Sequence, residues 1–214
     1  MFRNSMFQGD LSTWNVRNVR AMDSMFLYAS FNSDISQWDV GNVITMASMF
    51  HCSLFNRDLA SWNTANVQTM QYMFGFSIFT GDISRWCVKN VSNMWGMFSN
   101  SEFNGNISSW DVSSVQTMSH MFWNSRLTTD ISSWDVANCR NFVKMFHLGF
   151  FIGDISKWAI SCGADIDQCL DMHRAALFKK PTVFHWRLVF ENPNIMESWP
   201  IKWKEHIDNL RSIV

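Results

Sequence analysis

Residues 31–50 read FNSDISQWDVGNVITMASMF, and most of the chain repeats this string in register. A tryptophan recurs at a step of 24 residues, and a Met-Phe pair keeps the same step. We number each unit from its Met as position 1. The seven units begin at Met1, Met25, Met49, Met73, Met97, Met121 and Met145, and their position-14 tryptophans are Trp14, Trp38, Trp62, Trp86, Trp110, Trp134 and Trp158. A fixed period of this kind predicts units that stack and bury a continuous core between neighbours.

Apolar residues occupy fixed positions in the units, which predicts that these positions form the core. In the second unit they are Phe31, Ile35, Trp38, Val40 and Met46. A platform for carbohydrate is the alternative for the stacked tryptophans, but a ring present in every unit beside Ile and Val favours burial. We therefore expect the Trp, Met and Phe ladders to lie in the core, where a ladder means the residues at one position in successive units.

Two short segments of each unit predict secondary structure. Asn42, Met46 and Met49 place a capping residue before apolar residues at helical spacing, which predicts one short helix per unit. The pattern Ile-x-x-Trp-x-Val predicts one short strand. Residues 1–164 are thus predicted to form an α/β, right-handed, leucine-rich-repeat-like solenoid of seven 24-residue units, with one short parallel strand and one short helix per unit. Apolar residues at helical spacing within 165–214 predict a mainly helical C-terminal cap.

The repeated string resembles the BspA-like surface-protein repeat, a leucine-rich-repeat relative of mycoplasma lipoproteins and other bacterial, protist and large-virus proteins. The resemblance covers residues 1–160 and is carried by the pattern FN-x-DIS-x-WDV-x-NV-x-x-M-x-x-MF. It implies a horseshoe or straight stack with a parallel sheet, at the cell surface or secreted. It also implies adhesion or partner binding and supplies no catalytic residues.

The start of the chain differs from the surface members of that family. The chain starts within the repeat pattern at Met1, with no signal-peptide pattern ahead of it and no lipobox cysteine near it. The cysteines number 5, an odd count without a C-x-x-C pair. We therefore expect a cytoplasmic chain or a fragment of a longer protein, with reduced thiols and no transmembrane segment. A disulfide between Cys139 and Cys162 is the alternative for the thiols.

Charge and motifs argue against several classes of function. The 17 Lys and Arg balance 18 Asp and Glu, so no excess positive charge is present to bind nucleic acid. The chain contains no G-x-S-x-G, P-loop or G-x-G-x-x-G motif, and its 6 histidines are scattered without ligand spacing. We expect no enzyme, no cofactor and no metal. A site in the tail with His173 and His185 is the remaining enzymatic alternative.

An acidic ladder occupies position 10. In most units a Ser follows two residues later, which predicts a turn in which the side-chain oxygen accepts a backbone hydrogen bond. Calcium between the stacked carboxylates is the alternative. The ladder consists of Asp10, Asp34, Asp58, Asp82, Asn106, Asp130 and Asp154.

Positions 13, 15 and 17 differ between units and are expected to point outward, where they form what we call the variable stripe. Its mixed charge suits a protein or peptide partner better than a polyanion, and a merely solvated face is the alternative. We therefore expect a non-enzymatic interaction or adhesion module that binds a protein or glycan partner. The second hypothesis is a structural protein that assembles end to end through its uncapped first unit. The stripe consists of Gln37, Asp39, Arg85, Lys89, Asp111, Asp135 and Lys157.

Overall fold

A computed structural model of the chain describes residues 1–167 and 169. This part of the chain contains no α-helix and no continuous β-strand. Its units are joined by isolated parallel β-bridges between the position-21 residues of neighbouring units. The bridged pairs are Ala21–Thr45, Thr45–Thr69, Thr69–Asn93, Asn93–Thr117, Thr117–Asn141 and Asn141–Asp165. The predicted α/β solenoid with a helix and a strand in each unit is therefore wrong.

Tight turns occupy the segment that was predicted to be helical. The amides of Met46, Ser48 and Phe50 donate to carbonyls of the next unit over 2.7–3.1 Å. The amides of Met49 and His51, which alternate with these along the chain, donate instead to carbonyls three residues earlier, those of Met46 and Ser48. Backbone hydrogen bonds thus run alternately along the stack and within each turn, so the backbone groups are paired without a helix.

Positive φ angles make this alternation of bonds possible. They occur at the third residue of successive turns, as type II turns require, and recur at positions 24 and 4 of the units. Most of these residues are not glycine, and interunit hydrogen bonds hold them there against a cost of about 1 kcal/mol each. The non-glycine residues are Asn4, Ser24, Tyr28, Ser48, Cys52, Tyr72, Phe76, Asn100, His120, Asn124, Lys144 and Leu148, and Gly96 completes the pattern.

Turns also interrupt the segment that was predicted to be a strand. The Trp38 amide donates to the Ile35 carbonyl over 3.1 Å, and the Val43 amide donates to the Val40 carbonyl over 2.9 Å. Only a few extended residues remain between these turns, which is too short for a paired strand. The expected alternation is nevertheless present, because Trp38 and Val40 are buried on either side of the exposed Asp39.

Aromatic ladders run through the core, as the repeat predicts. Trp38 and the later position-14 tryptophans are buried, so the prediction that this ladder is core is confirmed for them. Stacked Trp rings have centroids 6.2–6.5 Å apart. The position-2 Phe rings of neighbouring units also stack, with centroids 5.5–5.8 Å apart. This continuous apolar packing supplies the main stabilisation of the stack.

Side chains hydrogen-bond neighbouring units to each other. The position-18 asparagines, predicted to cap helices, instead donate from Nδ2 to a carbonyl of the preceding unit. Asn42 does so to Arg17 over 2.8 Å, and Asn138 to Ser113 over 2.8 Å. These bonds satisfy carbonyls at a turn, so Asn is retained for a different reason than capping.

The predicted cap at 165–214 lies outside the described residues, apart from its first few. None of the described residues forms a helix with the length and hydrophobicity needed to cross a lipid bilayer.

Candidate interaction surfaces

The structure places every member of the variable stripe at the surface. All seven side chains are exposed: Gln37, Asp39, Arg85, Lys89, Asp111, Asp135 and Lys157. They flank buried positions 14 and 16, so the stripe follows one edge of the stack. It lies on turns and short extended segments, and the predicted sheet beneath it is absent from the described residues.

Hydrogen bonds fix the acidic members of the stripe. The Oδ1 atoms of Asp39, Asp111 and Asp135 each accept the amide two residues on, over 3.1–3.2 Å. Asn15 and Asn63 make the same bond in other units. Position 15 therefore has a structural role as a turn residue where it is Asp or Asn, and Cys87 and Ala159 occupy it in the other two units.

Opposite charges lie close together along the stripe. The guanidinium of Arg17 approaches Asp39 at 3.9 Å, with both side chains largely exposed. Hydrogen bonds from Ser113 lower the pKa of Asp111, and the nearby positive charge of Lys89 adds to this. Exposed pairs of this kind contribute little to stability. The stripe is thus a mixed-charge surface free to exchange its partners for those of another molecule.

The acidic ladder forms the turns that the sequence predicts. Backbone amides of Ser residues two positions on donate to Oδ1 over 2.8–2.9 Å at Asp10, Asp34, Asp82, Asp130 and Asp154. These bonds lower the pKa of each carboxyl from its ordinary value. Within the described residues, no three His, Cys, Asp or Glu side chains are grouped to hold a metal ion.

The cysteines of the described residues are free thiols. Cys139 is buried and Cys162 is exposed, and no disulfide joins them. Burial raises the pKa of the Cys139 thiol to about 11, although backbone hydrogen bonds oppose the shift. A thiol with such a pKa is a core residue and a poor nucleophile.

A second surface, which the sequence did not predict, is a row of aromatic side chains at positions 23, 24, 3 and 4. Three of its members are large and well exposed, Tyr28 at 54%, Phe76 at 47% and Trp95 at 38%. We call the row the aromatic ridge. It consists of Tyr28, His51, Tyr72, Phe76, Trp95 and Trp123.

The rings of the ridge contact one another along the stack, with members in the second, third, fourth and sixth units. His51 lies at its centre, with ring centroids 6.0 Å from Tyr28, 5.3 Å from Tyr72 and 5.5 Å from Phe76. The Tyr72 ring also contacts the Trp95 ring, with centroids 5.1 Å apart. Most of these contacts are edge-to-face or tilted, unlike the parallel stacks of the core, so ring faces and edges both reach solvent. At the far end Phe76 contacts Trp123 at 6.4 Å.

Two glycines, which lack a Cβ atom, make room for rings of the ridge. A Cβ atom at Gly96 would lie 2.3 Å from the Tyr72 ring, and one at Gly75 would lie 2.8 Å from Nδ1 of His51. Nδ1 of His51 is buried there without a hydrogen-bond partner. Burial lowers the pKa of His51 and raises that of Tyr72, so both side chains are held in their neutral forms near pH 7.

The ridge carries no formal charge. The segments that carry its rings are 23–28, 47–52, 71–76, 95–100 and 119–124, and their only charged residue is Asp23, in the segment of Tyr28. Position 4 changes from rings to amides along the stack, with Tyr28, Phe76 and Asn124 exposed and Cys52 and Asn100 half-buried. In order it reads Tyr28, Cys52, Phe76, Asn100 and Asn124. Nδ2 of Asn124 donates to Oδ1 of Asn100 over 2.7 Å, so these amides form an ordered pair.

The ridge was missed because its residues differ from unit to unit, whereas a repeat is recognised by the residues that recur. A usable signal was present. Trp95 and Trp123 lie outside the 24-residue register of the buried tryptophans, beside the Met-Phe pairs. A large aromatic residue in a variable position of a repeat indicates a surface role.

The chain matches a family model across most of its length. The model is described as a Mycoplasma protein of unknown function, DUF285, and it matches residues 1–102 and residues 75–186. No curated protein and no solved structure matches the chain. The chain therefore belongs to this mycoplasma-type repeat family of unknown function.

Proposed function

We propose that the chain is a non-enzymatic interaction module that binds a protein partner through the variable stripe. The observation that carries this proposal is that one repeated turn presents different exposed charges in different units, for example Asp39, Arg85 and Asp111. The turns themselves are held in place by the buried ladders. A rigid scaffold with variable outward side chains is the usual basis of binding by repeat proteins.

The mixed sign of the stripe favours a protein over a polyanion. Arg85, Lys89 and Lys157 stand near acidic groups, and the whole chain has a formal net charge of −1. Protein surfaces offer complementary charges of both signs, whereas nucleic acid requires an excess of positive charge. The resemblance to BspA-like surface proteins is consistent with adhesion as the biological role of this binding.

Charge-neutralising variants test the proposal without disturbing the turns. The triple variant Asp39→Asn, Asp111→Asn, Arg85→Gln keeps the position-15 hydrogen bond, since Asn15 and Asn63 already make it. The immobilised chain is used to capture proteins from cells that produce it, and each captured protein is then purified. Its affinity is measured for the wild type and the variants.

We expect the triple variant to bind the purified partner about tenfold more weakly or worse, because several rim charges are lost together. The control is Arg20→Gln with Arg140→Gln, which removes two exposed charges at position 20. This control should bind as the wild type does. Equal binding by the triple variant, or the absence of any saturable protein partner, contradicts the proposal.

End-to-end assembly is a second candidate, and the exposed face of the first unit favours it. Trp14 is 39% exposed whereas Trp38, one unit on, is 3% exposed. Phe2 and Phe7 stack on each other at 4.9 Å and are only partly buried. Sedimentation over a wide range of concentrations should show reversible association that Trp14→Gln weakens. A chain that stays monomeric at the highest concentration contradicts assembly.

A further inference from the structure

The aromatic ridge exposes several large rings side by side, which is unusual for a surface that contacts only solvent. Tyr28, Phe76 and Trp95 are exposed together and are linked through the partly buried rings of His51 and Tyr72. Contiguous apolar surface of this kind, unlike scattered single residues, marks a binding site. The ridge is separate in sequence position from the variable stripe, so a ligand of the ridge is independent of the protein partner proposed for the stripe.

The charge of the ridge limits the chemistry of its ligand. Segments 23–28, 47–52, 71–76, 95–100 and 119–124 contain no Lys or Arg that could bind a phosphate, sulfate or carboxylate. Their one anion is Asp23, whose Oδ1 already accepts hydrogen bonds from the Thr45 hydroxyl and the Ala47 amide. Charge complementarity therefore points to a ligand that is itself neutral.

The polar groups beside the rings limit the ligand further. Asn100 and Asn124 follow Phe76 at position 4, the first half-buried and the second exposed. The bond between them leaves Oδ1 of Asn124 as an acceptor and one Nδ2 hydrogen of each amide as a donor. The Ser119 hydroxyl bonds Nδ1 of His120 at 2.8 Å near the same end, which adds a neutral polar network. A sugar ring has apolar C–H faces that stack on aromatic rings and hydroxyls that pair with amides, so it matches both features.

The geometry points to a neutral polysaccharide, and we propose that the aromatic ridge binds one along the stack. Sugar rings lie against Tyr28, Phe76 and Trp95, and hydroxyls bond the amides of Asn100 and Asn124. Units joined by parallel backbone hydrogen bonds are about 4.8 Å apart, close to the length of one pyranose in an extended chain. Because the turns carrying these residues are fixed by interunit hydrogen bonds, little ordering cost opposes binding.

The repeat itself supplies variants that remove the rings without disturbing the turns. Phe76→Asn copies the residue at Asn100, and Trp95→Ala copies that at Ala47. Tyr72→Ser copies that at Ser48, which also has a positive φ. The matched control is Ile152→Ala, which removes an exposed apolar side chain (65%) that lies outside the ridge. Thermal unfolding of each variant checks that the fold is retained.

Binding is measured by affinity electrophoresis and calorimetry with a fixed panel of soluble polymers. The neutral probes are a β-1,3-glucan, a β-1,4-glucan, a mannan, a galactan and chitin oligomers, and the acidic probes are heparin and polygalacturonate. We expect at least one neutral polymer to bind and to change the Trp fluorescence. The ridge variant Tyr72→Ser, Phe76→Asn, Trp95→Ala should bind that polymer about tenfold more weakly, while Ile152→Ala should not differ from the wild type.

Each other outcome overturns the inference. No binding to any neutral polymer of the panel excludes the ridge as a polysaccharide site. Binding confined to the acidic probes contradicts the charge argument. Equal binding by the wild type and the folded ridge variant places the sugar elsewhere. If the ridge variant binds the polymers as the wild type does but no longer binds the protein partner purified in the capture experiment, the ridge is a protein contact.

Discussion

The indole N–H of Trp86 donates a 2.8 Å hydrogen bond to the backbone carbonyl of Leu59 in the preceding unit. The same bond recurs between other neighbouring units, for instance from Trp38 to Leu11 over 2.9 Å and from Trp158 to Ile131 over 3.1 Å. It explains why position 14 is Trp and not Phe. The ring fills the core, and its N–H gives a second hydrogen bond to a buried carbonyl that already accepts the turn amide, which at Leu59 is the amide of Trp62 at 3.0 Å.

Replacement of Trp86 by Phe should therefore be costly. Trp86→Phe removes the hydrogen bond between units at the Leu59 carbonyl, which then keeps only the Trp62 amide, and it also removes part of a packed ring. We expect the free energy of unfolding to fall by about 1–3 kcal/mol. Chemical denaturation measures the change.

Trp14→Phe is the matched control for this experiment. It removes the same atoms from a ring that is 39% exposed. We expect a loss below about 1 kcal/mol. Similar losses at the two positions would show that the hydrogen bond contributes nothing and that ring size alone matters.

The acidic ladder predicts a loss of stability in acid. Backbone and side-chain hydrogen bonds from Ser lower the pKa values of Asp34, Asp82 and Asp154 below 3.8. A carboxyl whose pKa is lower in the folded chain stabilises the fold above its unfolded pKa, and this contribution disappears as the pH falls through the folded pKa. The thermal midpoint should therefore fall steadily below pH 3.8.

The Asp82→Asn variant isolates this effect, because an Asn oxygen accepts the same bond in the turn at Asn106. Its midpoint should fall less steeply with acid than that of the wild type. Identical slopes for the two chains would show that the ladder does not contribute to the pH dependence.

The same hydrogen bonds predict that the fold does not require calcium. The carboxylates are already stabilised as anions by backbone amides, as at Asp82 over 2.8 Å. Thermal unfolding in excess chelator and in millimolar calcium should give the same midpoint. A rise of several degrees in calcium would demonstrate bound ions, since ligands that bind only the folded chain raise its stability.

The thiols should differ sharply in reactivity. Cys87 and Cys162 are exposed, whereas Cys139 is buried with its pKa raised to about 11 by burial. Labelling with iodoacetamide near neutral pH, followed by peptide mass spectrometry, should modify the two exposed thiols first and Cys139 only after unfolding. A peptide linking Cys139 to Cys162 before reduction would contradict the free-thiol arrangement.

The core could be predicted from the sequence, but its secondary structure could not. Met46, Met49, Phe50 and Ser53 are buried, a spacing that is also typical of one face of a helix. In consecutive turns, each closed by a hydrogen bond to the carbonyl three residues earlier, side chains also return to one side of the chain every three to four residues. Apolar spacing therefore identifies the buried side chains correctly and does not distinguish consecutive turns from a helix.

Whether the segment forms a helix or consecutive turns depends on positive φ angles that the residue types do not predict. Among the positive-φ residues at positions 24 and 4, only Gly96 is a glycine. Residues such as Tyr28 and Lys144 adopt the same conformation because hydrogen bonds to the neighbouring unit hold their turns. Local propensity opposes that conformation, and contacts between units override it. The turn role of Asp34 was predictable because its cause, the Ser36 amide, lies two residues away.

Backbone hydrogen bonds between units replace a helix at the Met-Phe segment, and the whole stack depends on this replacement. The most direct measurement is the scalar coupling across hydrogen bonds, detected by NMR in labelled protein. We predict coupling between the amide nitrogen of Phe50 and the carbonyl carbon of Met73, whose groups are joined by a hydrogen bond of 2.9 Å. Coupling from Phe50 to the carbonyl of Met46, the bond of an α-helix, would contradict the replacement of the helix by turns.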